Sequence, residues 1–130
     1  MKYILLRTDN TFEVVEIEYD KFLQAAYQYL DCTFIEIVNF GIGNLRLCID
    51  DAGKLTGKDI NILATILYNV NYDKLIEPIV GNALIGADEI INEYGEHDFV
   101  GLPDDLILKL TDLFENISED INSNFDRNPA

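Results

Sequence analysis

The stretch Phe34-Ile35-Glu36-Ile37-Val38-Asn39-Phe40-Gly41-Ile42-Gly43-Asn44-Leu45-Arg46-Leu47-Cys48-Ile49 decides the fold. Leu45, Leu47 and Ile49 alternate with Arg46 and Cys48, a period of two that lays one apolar face along an extended chain. Gly41 and Gly43 tolerate the positive φ that a tight reversal demands. Phe34 to Phe40 and Leu45 to Ile49 are therefore two strands of a hairpin.

Strand and turn patterns continue on both sides of this hairpin. Tyr3 to Arg7 reads as a strand, Asp9-Asn10-Thr11 as a turn whose short polar side chains bond their own backbone, and Phe12 to Tyr19 as a second strand. In that strand Val15, Ile17 and Tyr19 alternate with Glu16 and Glu18. Asp20 is placed to cap a helix of about ten residues with Leu23, Ala26, Tyr27 and Leu30 on one stripe. After the hairpin, Asp50-Asp51-Ala52-Gly53-Lys54-Leu55 is a solvated turn and lacks the register of a calcium loop. Asn61 is a second cap, before a helix with Leu63, Ile66, Leu67 and Val70 on one face. Tyr72 to Glu77 suggests a helical turn ended by Pro78.

Ile79 to Gly86 reads as a glycine-punctuated strand with a bulge or a close backbone approach. Residues 88 to 98 read as a polar loop, and Phe99-Val100 as a short strand. Pro103 suits the first position of a last helix, whose Asp104 and Asp105 favour its positive end. Leu106, Leu110, Leu113, Ile117 and Ile121 set its apolar side, with Asp112, Glu115, Glu119 and Asp120 between them. The expectation is one α+β domain over residues 1–121, a mixed, mostly antiparallel sheet with helices near 21–30, 61–69 and 104–121 packed on it. Residues 122–130 are expected to form a polar, frayed tail.

With 130 residues the chain suits one domain, and 48% hydrophobic content is too high for wholesale disorder. The net charge is −15. Residues 1–65 hold ten acids and six bases, residues 66–130 fourteen acids and three bases, so the second half carries most of the excess. A field of that sign repels phosphate backbones and anionic lipid and attracts basic protein surfaces, including those built to hold DNA. Nine scattered bases, with no run among them, do not make a nucleic-acid site. No apolar run nears the roughly 18 residues of a membrane span, and the charged N-terminus does not read as a signal peptide. The expected location is the cytoplasm.

His97 is the single histidine and the best candidate for proton transfer at neutral pH. Glu93, Glu96 and Asp98 surround it, but their spacing matches no metal-ligand pattern. Cys32 and Cys48, with no CxxC, read as small buried or partly buried hydrophobes. The pairs Asp50-Asp51 and Asp104-Asp105 sit in a turn and at a helix start, whereas glycoside hydrolysis needs two carboxyls across a cleft. Gly81 and Gly86 precede no lysine–serine or lysine–threonine pair, which excludes a phosphate loop. No catalytic, cofactor or metal residue is assigned.

Four segments in this order resemble a known family: Leu47 to Gly57, Asn61 to Tyr68, Ile79 to Ile85, and Phe99-Val100-Gly101-Leu102 before a helix. With the N-terminal hairpin ending Val14-Val15-Glu16-Ile17, they are similar to domain-of-unknown-function family 3846 over about residues 1 to 110. Its members are small proteins carried by phages, plasmids and conjugative elements. A threonine commonly caps the last helix there, where this chain has Pro103. The resemblance implies a mobile-element setting and carries over no catalytic residue.

The functional expectation is a non-enzymatic acidic protein of a phage or mobile element. It would bind or inhibit a host or competitor protein with a basic surface, such as a defence or DNA-handling factor, with imitation of DNA's charge as one route. The expected contact residues are Asp88, Glu89, Glu93, Glu96, Asp98, Asp112, Glu115, Glu119 and Asp120. The alternatives are a small hydrolase or metal-dependent enzyme centred on His97, and a homo-oligomeric structural protein.

Overall fold

A computed structural model describes residues 1–71 and 77–126. The expected helical turn at 72–77 falls almost wholly outside them. The elements are β1 (Lys2–Leu6), β2 (Phe12–Glu16), a 3₁₀ turn (Tyr19–Lys21), α1 (Phe22–Leu30), β3 (Ile35–Asn39) and β4 (Leu45–Asp50). There follow α2 (Ile62–Tyr68), β5 (Ala83–Ile90), β6 (His97–Val100) and α3 (Asp104–Asp126). The fold is α+β, a six-stranded antiparallel sheet with three helices.

The sheet runs β2–β1–β5–β4–β3, and β6 pairs with the far half of β5. β1 pairs with Ala83 to Ile85, and β6 takes over from Ala87 to Ile90. The handover is tight: a Cβ on Gly101 would lie 2.7 Å from Met1 Cβ, and one on Gly86 2.7 Å from the Val100 carbonyl oxygen. Only glycine fits at either place, which is the close approach expected for Gly86.

Alternation divides the buried residues between two faces. On one, Ile4, Leu6, Leu45, Leu47, Ala83 and Ile85 meet α2 and α3. On the other, Tyr3, Leu5, Cys48 and Leu84 meet Ala26 and Leu30 of α1. The sheet is thus sandwiched between one short helix and two others. Asn61 caps α2 as expected, its Oδ1 accepting from the Ala64 N–H at 3.0 Å.

Several local expectations are corrected. Asp20 caps nothing, because the 3₁₀ turn precedes α1 and its entry has no side-chain cap. Leu23 is half-exposed (49%), and Phe22 takes its place against the core, its ring tilted against those of Tyr3 and Phe99. The buried residues of α3 are Ile107, Leu110 and Phe114, while Leu113 is 45% exposed. The stripe is rotated because Phe114 packs on Phe12 of β2, with ring centroids 5.8 Å apart. Pro103 supplies the carbonyl that accepts the Ile107 N–H, so it stands just before the helix. α3 continues to Asp126, beyond the expected end at 121. Asp50 is buried where a solvated turn was expected, with Lys58 Nζ 2.8 Å from its carboxylate. Among the described residues no helix is long and apolar enough to cross a membrane.

Candidate functional site

α1 has only nine residues and cannot cover its whole face of the sheet. Beside it lies an open groove of about 380 Å³. Phe22 and Leu23 of α1 and Ile35 and Ile37 of β3 form its apolar part. Arg46 of β4, Asp88 of β5 and His97 of β6 form its polar end. These strand residues converge because each points to the α1 side, while their sequence neighbours Leu45, Leu47 and Ala87 point to the larger core. Phe99 closes the floor, stacked 5.6 Å from Tyr3.

At the polar end His97 Nδ1 lies 2.7 Å from Asp88 Oδ2. Arg46 Nη2 stands 3.8 Å from the same oxygen, while its Nη1 donates to the Leu45 and Gly43 carbonyls at 2.8 and 3.2 Å. With its proton on Nδ1, the imidazole is held by the carboxylate and its Nε2 is left as an acceptor. Nearby, Tyr19 donates its hydroxyl proton to Asp98, and that hydrogen bond holds the phenol above its usual range. Cys48 shares the face, but burial pushes its thiol up to about 12, far from thiolate chemistry at neutral pH. Cys32 is half-buried and also raised, chiefly by desolvation; both cysteines are free.

His97 was expected in a loop, yet it sits on β6, because β5 and β6 extend the hairpin further than the polar composition suggested. Arg46 was assigned no role from sequence. Its alternation with Leu45 and Leu47 already turned it from the main core, a signal that it lines the other face. Among the described residues no group of three or more His, Cys, Asp or Glu side chains converges as a metal site.

The nine expected contact residues divide between two regions. Asp88, Glu89, Glu93, Glu96 and Asp98 belong to the β5–β6 hairpin. Asp88 is engaged by His97 and Arg46, Asp98 by Tyr19 and the Phe99 N–H, and Glu96 by Asn92. Glu89 and Glu93 are exposed. Asp112, Glu115, Glu119 and Asp120 belong to α3, on the sheet face opposite the groove. All four are exposed, and no ion pair to them occurs among the described residues. Asp105, Asp112 and Glu119 are spaced by seven, so they fall on one line of the helix; Leu108, 71% exposed, and Glu115 lie beside it.

These features define a small α+β domain with a sheet enclosed by helices, an uncovered groove on one face and an acidic helix on the other. The chain belongs to the family described as Domain of unknown function (DUF3846), whose model matches residues 1–115. No curated protein and no solved structure matches the chain. The groove lies wholly inside the matched residues, whereas Glu119 and Asp120 lie beyond them.

Proposed function

We propose that this domain is a non-enzymatic protein of a phage or mobile element that binds another protein through a basic surface on its partner. The observation that carries the reading is the line of carboxylates on α3 that form no ion pair among the described residues. Asp105, Asp112, Glu115 and Glu119 face away from Ile107, Leu110 and Phe114, so nothing in the fold requires their charge. Four carboxylates spread over about 21 Å of helix compare with about twelve phosphates over the same length of duplex. The stripe therefore supports attraction of a basic protein surface better than close imitation of DNA. Pull-down from host lysate at moderate salt, with Asp112, Glu115, Glu119 and Asp120 changed together to the amides, tests this. Loss of the captured partner is expected; unchanged capture overturns the surface assignment.

A second reading, a small hydrolase or metal-dependent enzyme centred on His97, draws support from the 2.7 Å contact with Asp88 beside the groove. Its test is turnover of ester and phosphoester panels, with and without divalent cations. Activity abolished in both His97→Gln and Asp88→Asn would favour it over the binding role.

A further inference from the structure

We propose that the outer edge of β3 is a strand-addition site for an extended partner segment that alternates apolar and basic residues. This rests on the protein-binding reading above but assigns a different surface from α3. The Asp51 N–H donates to the Phe34 carbonyl at 3.1 Å, and β3 and β4 pair in register from Ile35–Asp50 to Asn39–Arg46. In an antiparallel ladder only alternate residues bond a given neighbour. Phe34, Glu36 and Val38 thus spend their N–H and C=O groups on β4. Those of Ile35 and Ile37 point out of the sheet, and no described residue bonds them. β3 ends the strand order, and no described strand pairs with its outer edge. Neither proline nor lysine blunts it, and its single charged residue is Glu36.

The two faces of that edge differ in chemistry. On the α1 side Ile35 and Ile37 line the groove with Leu23, and Ile37 is 41% exposed. On the opposite side Glu36 and Asp51 line a hollow of about 120 Å³ with Glu77, whose carboxylate is already taken by Lys54. Glu36 and Asp51 take part in no ion pair among the described residues. A strand laid along β3 sends alternate side chains to the two faces. One set must be apolar to cover Leu23, Ile35 and Ile37, and the other cationic to meet Glu36 across the strand, with Asp51, one strand further in, adding to the negative field there. A second copy of the chain is disfavoured. The self-pairing that matches Ile35 with Ile37 sets Glu36 opposite Glu36, between two chains of net charge −15.

The test uses the full chain, ¹⁵N-labelled, and a synthetic peptide alternating valine and lysine. Binding is expected to slow amide exchange at Ile35 and Ile37. Ile37→Pro removes only an outward N–H and is expected to weaken binding about tenfold or more, since main-chain bonds supply affinity in strand addition. Glu36→Lys, an exposed change that leaves the ladder intact, is expected to do the same and keeps the test open if the proline variant fails to fold. The α3 amide variant should bind the peptide at β3 as before. Equal binding by Ile37→Pro and Glu36→Lys, or binding lost with the α3 acids alone, would show plain charge attraction and overturn the proposal. A free chain that is already dimeric, with Ile35 and Ile37 amides protected, would overturn it in favour of a second copy.

Discussion

Replacing Asn61 separates two roles of one buried side chain. Asn61 is fully buried, and its Oδ1 caps α2 while its Nδ2 donates to the Leu6 carbonyl at 2.9 Å and the Gly81 carbonyl at 3.0 Å. It therefore ties β1, the entry to β5 and α2 together. Asn61→Ala loses a cap worth about 1 kcal/mol and two buried hydrogen bonds worth about 1 kcal/mol each, with carbonyls left short of a donor. The expected loss is about 3–4 kcal/mol, a large share of the roughly 5–15 kcal/mol that holds a domain folded. Asn61→Asp is the sharper variant. Aspartate caps as well as asparagine, yet its carboxylate has no proton for Leu6 and Gly81 and must lie against two carbonyl oxygens. At neutral pH it should cost at least as much as alanine.

The pH dependence has a definite sign. Burial and the facing carbonyls raise the folded-state pKa of that carboxyl above its unfolded value, so the native state binds the extra proton. The stability of Asn61→Asp should then rise as pH falls through the folded-state value, relative to wild type, and the gain is complete below the unfolded-state value. Urea titrations of the wild type and both variants from neutral to mildly acidic pH measure this. An Asn61→Asp protein within about 0.5 kcal/mol of wild type at neutral pH, a change of the size expected at an unconstrained surface site, would mean that the two Nδ2 hydrogen bonds contribute little and leave Asn61 as a simple cap.

Gly86→Ala should cost about 2–3 kcal/mol by overpacking, because its Cβ meets the Phe99 ring and the Val100 carbonyl; thermal unfolding reads it. Lys58→Met should cost about 2–3 kcal/mol, since it strands the buried Asp50 carboxylate. Lys58 also gives up hydrogen bonds to the Leu30 and Asp31 carbonyls, so adding Asp50→Asn should restore only part of the loss in a double-mutant cycle. In the native protein near pH 8, iodoacetamide should label Cys32 slowly and leave Cys48 unlabelled, with both reacting after denaturation. Mass spectrometry of timed samples decides, and native labelling of Cys48 first would contradict its burial.

Much of the fold was legible where a signal is local. The alternation in Leu45 to Ile49, the turn at Gly41 to Asn44 and the cap at Asn61 each depend on neighbours a few residues away, and all three appear as expected. Errors arose where distant packing overrides a local pattern. Leu23 and Leu113 fit helical stripes, but Phe22 and Phe114 bury larger surfaces against Phe99 and Phe12 and set the rotation of each helix. Polar composition between residues 88 and 98 hid a hairpin, because an edge strand with one wet face needs few apolar residues.

By itself the sequence determined a charge of −15, the strand-and-helix alphabet and the hairpin at residues 34–49, since side-chain period and turn chemistry act within a few bonds. Only the tertiary structure decided that β1 lies beside β5, that Asp88 meets Arg46 and His97, and that the α3 acids stand on the face opposite that cluster. Apart from Asp88 and His97, which the β5–β6 hairpin brings together, these relations join segments far apart in the chain. Their choice turns on which apolar faces bury each other best, a property of the whole assembled sheet that no single segment contains.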